Sequence, residues 1–490
     1  MLEIAIIDPT QPPAWCSLPM LYYCRRGSGV APTPDPAPPE QPPAAAARLP
    51  RRRVEIRSDG ASSPPTRGNR RPTASRFTGT SPALATQVRL DPRPARSDPR
   101  ERPGAGPLTI AHATQPEPEP GAAARAQFLV AILPDGSAQL RAPRDLGETS
   151  VNRISAHEVA RWDLRSGDLL DADLATDLHE RVTRIASLHR LNGQIPTGRR
   201  RPDFAALTPV SPTRQIHLET TAGVLATRIL DLFVPIGFGQ RGILIAPPRA
   251  GKTTLLKQIG AGIAANHPDA QLILLLIGER PEEITELSEA LPTARVFAIS
   301  YDDTGDRHLD LANLAMEHAK RLAEQGLDAV VLLDSATRLV EAHQDPGAPM
   351  LSGGVNATAL AQARQLFGVA RATRDGGTIT TLATVLVMPA NRGSDVVGQQ
   401  LKSTSNLELH LSADLAERRI WPAIDIVASG TRNEAALIGE PGLVVSDLVR
   451  QGIKSVPPFA QAERYGQLLT AMKRCPDNAT YMRGVRQQAS

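Results

Sequence analysis

Hydrophobic and polar positions follow two different patterns along this chain, and the change between them divides it. From Ala126 the run FLVAIL, the turn Pro134–Gly136 and the run SAQLRA predict a β-hairpin. Short strands continue to about Leu188 through GDLLDADL, so residues 126–195 are expected to form a small all-β unit. The polar, arginine-rich stretch 196–215, with GRRRPD, is expected to be a linker. From about Thr208 onward unbroken apolar runs (GILIA, QLILLLI, RVFAIS, AVVLLD) alternate with helical stretches starting at Thr253, Pro281 and about Arg307. Apolar strands separated by helices predict a parallel sheet covered on both faces, an α/β unit over 216–490.

Residues 1–125 follow neither pattern. Of 44 prolines, 24 lie before residue 121, beside only four aromatics (Trp15, Tyr22, Tyr23, Phe77), so too little apolar surface is present to offset the entropy of ordering. This stretch is expected to be a disordered leader. Residues 1–120 hold 16 arginines, no lysine and 11 acids, a net +5, whereas residues 121–490 hold 39 basic and 40 acidic residues. The pI of 9.1 therefore comes from the leader and does not mark the rest as a general nucleic-acid binder. Arg51–Arg53, Arg70 and Arg71 could touch RNA, but a solvated tail, or sequence upstream of the true start, is the preferred reading. Three cysteines (Cys16, Cys24, Cys475) cannot build a disulfide framework. The apolar run Leu272–Ile277 is too short to cross a bilayer, and the first residues lack a basic segment typical of a secretory signal. A cytoplasmic protein without membrane contact is expected.

The chemistry begins after GILIA. Ala246-Pro-Pro-Arg249-Ala250-Gly251-Lys252-Thr253 has P-loop spacing, with alanine at the first glycine position, and a helix follows. Backbone N–H groups and the helix N-terminus suit a pyrophosphate. Lys252 would reach the β/γ-phosphates of ATP, and Thr253 Oγ would sit on Mg²⁺. With six lysines against 49 arginines, a lysine at this position fits a compact point charge that guanidinium replaces poorly. Strand AVVLLD ends in Asp334, where a carboxylate holds the Mg²⁺ water shell. Strand QLILLLI ends in Gly278-Glu279-Arg280, placing Glu279 at the same crevice as a candidate general base for the attacking water.

Seven segments, GFGQRGILIAPPRAGKT, NHPD, LLIGERPEEITE, VVLLDSATRL, LSGGVN, LKSTSNLELHLS and ERRIWPAID…SGTRNE, closely resemble the bacterial transcription termination factor Rho family, in order and at similar spacing. The resemblance covers about 126–490. It implies an OB-like RNA-binding domain ahead of a RecA-like P-loop NTPase motor. It also implies a homohexameric ring, an RNA-dependent ATPase and RNA–DNA helicase acting on single-stranded RNA and the RNA polymerase elongation complex. Nucleotide contacts are implied for Gly237, Phe238, Gly239, Gln240, Arg241 and Gly242, and for Arg249, Ala250, Gly251, Lys252, Thr253 and Thr254. Arg280 is a further contact, and Trp421 lies where the family sets an aromatic against adenine. Arg432 matches the arginine finger supplied across the subunit interface, and Arg419 the second interfacial arginine. Gly353, Gly354 and Val355, together with Lys402 and Thr404, lie in the two loops that line the RNA channel.

Several positions depart from the family. Its usual KGTG is KSTS here (Ser403, Ser405), a lysine near Pro349 is missing, and Gly278 replaces an aspartate. The β-unit's four base-stacking aromatics correspond to Ser137, Gln139, Arg153 and Val182, leaving Gly136, Arg141, Arg153 and Arg181 as RNA contacts. Stacking contributes about 1–3 kcal/mol per base, so weak, salt-sensitive binding of oligo(dC) without strong preference over oligo(dA) is expected of residues 126–200. A slipped alignment would instead make Trp162 or Phe128 the platform. Gly-Glu-Arg after a strand also occurs in rotary and secretion-type hexameric ATPases, but those have a glycine-rich P-loop. A Rho-derived RNA-binding protein with altered RNA coupling is a third alternative, disfavoured because every catalytic position is filled.

Overall fold

A computed structural model describes residues 125–142, 152–177, 182–196, 201–301, 305–342, 347–351, 354–387 and 392–489. The leader, Arg181 and Gly353 lie outside these residues. The hairpin joins β1 (Arg125–Ile132) to β2 (Ala138–Arg141) through a turn in which Gly136 takes φ 80° and Ser137 N donates to Asp135 Oδ1. After β3 (Asn152–Ile154) a one-and-a-half-turn helix α1 (Ala156–Arg161) appears where only strands were expected. Ser155 caps it by accepting from Glu158 N, a side-chain cap that periodicity does not display. β4 (Leu169–Asp177) and β5 (Val182–Leu191) complete an antiparallel half-barrel in the order β3-β2-β1-β4-β5. Period-2 alternation turns Phe128, Val130, Ala138, Leu140 and Leu170 into its core.

The second unit carries β6 (Pro209–Val210), α2 (Leu225–Phe233), β7 (Arg241–Ala246), α3 (Lys252–Asn266), β8 (Gln271–Glu279), α4 (Pro281–Ala290), β9 (Arg295–Ser300) and α5 (Gly305–Glu324). There follow β10 (Ala329–Asp334), α6 (Ala336–Ala342), β11 (Met350–Leu351), β12 (Val355–Asn356), α7 (Ala357–Gly368), β13 (Ala372–Thr373) and β14 (Ile379–Leu386). The chain ends with α8 (Arg392–Lys402), β15 (Leu407–His410), α9 (Ala413–Glu417), β16 (Gly430–Thr431), α10 (Ala435–Lys454), α11 (Pro458–Arg474) and α12 (Asn478–Ala489). Seven strands form one sheet in the order β16-β15-β7-β14-β10-β8-β9, parallel except for β16. One face packs on α2–α4 and the C-terminal helices, the other on α5–α8. β14 (ITTLATVL) does not stand out as an apolar run, because its threonines interrupt it. Thr380, Thr381 and Thr384 are nevertheless buried at the centre of the sheet, where β-branching suits a strand and the hydroxyls of Thr380 and Thr384 find partners.

The two units share a tight junction. Leu129 of β1 belongs to the core that covers α5, and Gly167 O accepts from His318 Nδ1 at 2.8 Å. Arg201 pairs with Asp168 at 2.6 Å, and Glu324 accepts from Phe204 N at 2.9 Å. Gly167 has φ 85°, and a Cβ there would lie 2.3 Å from the backbone of Glu317. Gly193 has a similar φ of 81° with open space around it. Gly167→Ala is therefore expected to lose about 1–3 kcal/mol more than Gly193→Ala, since the first adds overlap to the backbone strain both share. Thermal unfolding of the two variants measures the difference, and equal losses would mean the junction yields freely.

Candidate active site

β7 ends at the centre of the sheet and turns through Pro247–Gly251 into α3. Arg249 takes φ 63° and Gly251 φ 85°, a left-handed bend that aims the first N–H groups of α3 into the loop. Trp421 lies against this bend: a Cβ on Gly251 would be 3.0 Å from its Cζ3, and the ring is 46% exposed. An aromatic face beside the phosphate loop, open on its other side, can take a planar base.

Three charged groups meet under the loop. Lys252 Nζ lies 2.6 Å from Asp334 Oδ1 and 3.4 Å from Glu279 Oε1, and both carboxylates are 1% exposed. Thr384 Oγ1 donates to Asp334 Oδ1 at 2.7 Å. Arg338 was not singled out from sequence, yet its Nη1 stands 2.8 Å from Glu279 Oε2 and also donates to Gly278 O. Its signal was its position, one helical turn beyond Asp334. Burial first, then the Asp334 charge, push Glu279 up to about 7, and the cations of Lys252 and Arg338 offset only part of that. A carboxyl so placed can take up or hold a proton near neutrality.

Gly278 has φ 63°, and a Cβ there would approach Arg338 Cδ at 3.4 Å. Glycine occupies this left-handed position without strain, so the departure from aspartate suits the local backbone. Beside it opens a cavity of about 770 Å³ lined by Gly278, Arg280, Glu282, Tyr301, His308 and Arg338. Arg280, Arg249 and Thr254 are exposed at the crevice, and Ala250 is buried beneath it.

Other expected site residues lie elsewhere. Arg241, at the start of β7, donates to Thr404 O at 2.9 Å and Ala370 O at 2.8 Å, and Gln240 Nε2 donates to Asn406 O at 2.8 Å. Phe238 is buried, and a Cβ on Gly239 would lie 2.2 Å from Ala372 N, so Gly237–Gly242 is packed into this end of the sheet. Arg432 is exposed here too, its N donating to Asn406 O. Five residues of β7, about 17 Å at strand rise, separate this end from the start of the chain's own P-loop. Arg419 is exposed two residues before Trp421, with φ 58°.

Lys402 ends α8 and pairs with Glu408 at 2.8 Å, and Glu408 in turn meets His410 at 3.2 Å. Ser403 and Ser405 donate to Gln400 O and Lys402 O, so each serine satisfies a carbonyl at the helix end. Gly354 is exposed at φ 74°, whereas the Val355 side chain is 6% exposed in the core, leaving only its backbone for contact. Met350 and Leu351 are exposed next to it.

In the half-barrel, Gln139 stands directly across from Arg153. Arg153 donates to Ser137 Oγ at 3.1 Å and pairs with Asp135. Arg141 is partly buried, donates to Gln139 at 3.2 Å and lies near Arg307 and Asp310 of α5. Phe128 is in the core; Trp162 is half-buried, bonded to Glu158 and covered by Arg161 at 5.1 Å. Among the described residues of this unit, no Phe, Tyr or Trp ring is exposed as a platform.

These features define a P-loop ATPase: residues 226–431 match the ATP synthase alpha/beta family, nucleotide-binding domain. Its fold is similar to that of an ATPase from a bacterial type III secretion system (TM-score 0.50, 20% identity, 65% of this chain and 95% of that one), a likeness of fold alone. The transcription termination factor Rho of Streptomyces coelicolor is 40% identical over 353 residues, 71% of this chain and 83% of that protein. Those of Bacillus subtilis and Thermotoga maritima are 42% and 40% identical, over 63% and 66% of this chain and 73% and 78% of theirs. The chain belongs to the Rho transcription termination factor family and is a Rho-family ATPase.

Proposed function

We propose that this chain hydrolyses ATP at subunit interfaces of a homohexameric ring, moves along single-stranded RNA in the cytoplasm, and separates RNA from DNA to terminate transcription. The observation that carries it is the separation of the two halves of the site. Lys252, Glu279 and Asp334 converge under the P-loop, while the exposed Arg432 stands at the far end of the same sheet. An arginine so placed serves a neighbour's nucleotide, and this couples hydrolysis to movement between subunits.

Glu279 orients the attacking water and accepts its proton; Lys252 leaves the two carboxylates for the β/γ-phosphates; Trp421 stacks on the base. Mg²⁺ fits the residues present. Asp334 Oδ2 is buried without a hydrogen-bond partner, and Thr253 stands at the first turn of α3. These two would hold the ion through oxygen ligands, where it neutralises phosphate charge.

The exposed Gly354, Lys402 at the end of α8 and the Thr404 backbone would follow the RNA phosphates, with Lys402 exchanging Glu408 for phosphate. The polar face of β2 and β3 offers charge without rings. The full chain is therefore expected to bind oligo(dC) little better than oligo(dA), with affinity falling steeply between 50 and 200 mM salt as phosphate-only contacts do (both values the usual test range). Fluorescence anisotropy checks this, and tight cytosine-selective binding at high salt would place a stacking platform in the half-barrel.

ATPase activity measured across RNA homopolymers tests the whole reading. Stimulation by RNA is expected, and turnover indifferent to every RNA would leave a hexameric ATPase of another kind. A pH dependence is also expected. Because Glu279 is raised to about 7, its proton-accepting form is lost as pH falls through that value. kcat/KM for ATP should drop about tenfold per unit below it and level off above. A flat profile from pH 5.5 to 8 (roughly the span of the shift) would remove Glu279 as the base.

A further inference from the structure

Arg295 opens β9 at the edge of the sheet farthest from β16, directly beside Ile273 of β8. It lies on the same face of β9 as Phe297 and Ile299, which pack into the core beneath α5. Burial alone pulls its guanidinium below the usual arginine range, and among the described residues no carboxylate stands near enough to offset it. Other arginines withdrawn from solvent have partners: Arg201 has Asp168, Arg321 has Glu324 at 2.9 Å, and Arg241 donates to the carbonyls of Thr404 and Ala370. A half-buried guanidinium without a carboxylate beside it keeps its planar fork of donors free for an anion.

Arg295 also lines a cavity of about 350 Å³. Thr293 and Gln271 bring a hydroxyl and an amide to its rim, and Leu272, Val296 and Leu322 give it apolar walls. His318 lines it as well; burial, and then Arg295 itself, push this histidine down to about 4, so it is neutral. With its Nδ1 proton on Gly167 O, its Nε2 carries none and adds no positive charge. The volume is at the small end of ligand sites. A planar guanidinium with one apolar wall recognises an oxyanion bidentately, on a molecule whose remaining body is apolar.

We propose that this cavity binds a small organic oxyanion, a carboxylate or phosphate monoester with a compact apolar body, through Arg295. The cavity shares His318 with the junction to the half-barrel, so occupancy bears on the residue that holds Gly167. It lies apart from the P-loop, whose lining residues it does not share.

The test uses the full chain saturated with Mg²⁺–ADP, which keeps added anions away from the P-loop. Benzoate, phenyl phosphate and the neutral benzamide are titrated by calorimetry at constant ionic strength. Saturable binding of benzoate or phenyl phosphate is expected, the tighter of the two identifying the group, with benzamide at least about tenfold weaker, the scale of one charge-assisted contact. Arg295→Met should weaken the anion about tenfold or more, while Arg295→Lys retains part of the affinity. Replacing a half-buried guanidinium that bonds to no described side chain should leave the unliganded melting temperature unchanged in Arg295→Met. Anion binding equal in wild type and Arg295→Met, no saturable binding of either anion, or a lowered melting temperature showing Arg295 to be a structural group would each overturn the proposal.

Discussion

Glu279→Gln is expected to bind ATP normally and to turn it over roughly 10²–10⁴-fold more slowly, the usual scale for a lost general base. Glutamine keeps the shape and can still accept a hydrogen bond, but it cannot take a proton from water. The Lys252–Asp334 pair at 2.6 Å is untouched by the change. Replacing a buried carboxylate that Asp334 repels also removes a strained charge, so the fold should not suffer. Lys252→Ala should lose both binding and turnover, because the phosphates lose their cation and the buried Asp334 is left without one, while Glu279 keeps only Arg338. Fluorescent-nucleotide binding alongside steady-state hydrolysis separates the two. Unchanged turnover in Glu279→Gln would remove that residue from the chemistry.

Mixing two inactive chains should restore activity. Arg432→Ala retains its P-loop and Lys252→Ala retains its arginine, so an interface between them can combine an intact loop with an intact finger. The basis is geometric: Arg432 joins the start of β7 through Asn406, at the end of the strand remote from Gly251. One in four interfaces of a randomly mixed ring from equal amounts is complete, so recovery of up to about a quarter of wild-type turnover is the ceiling. No recovery in rings shown by native mass spectrometry to be mixed would place Arg432 within its own subunit's business, or outside catalysis altogether.

Much of the catalytic end could be read from the residues. Strand, loop and helix follow one another around Gly251–Thr253, so a local pattern determines a local structure. Asp334 and Glu279 are likewise strand-terminal acids after unbroken apolar runs, and parallel strands bring such ends to one crevice. Arg338 escaped because nothing in SATRL distinguishes it from a solvated helix arginine. Its importance depends on Gly278 turning through φ 63° and presenting both a carbonyl and the neighbouring carboxylate.

The residues expected to contact RNA were less legible. Ser403 and Ser405 stand as losses of glycine in the sequence, whereas the fold uses their hydroxyls to finish α8. Val355 stands among loop glycines, yet the β11–β12 pairing turns its side chain into the core. Arg141 stands as a kept RNA contact, yet the packing of the half-barrel on α5 partly buries it.

By itself, then, the sequence determined the class of chemistry and the order of its parts. Apolar periodicity and the spacing of a phosphate loop are local properties, set by strand and helix geometry and by the few backbone shapes that glycine permits. Only the tertiary structure decided which end of the sheet each charge occupies and which cations remain unpaired. Those depend on strand order β16-β15-β7-β14-β10-β8-β9, in which sequence neighbours such as β7 and β8 are separated by two inserted strands. Electrostatic energy depends on distance and burial, and neither can be read from position along a chain.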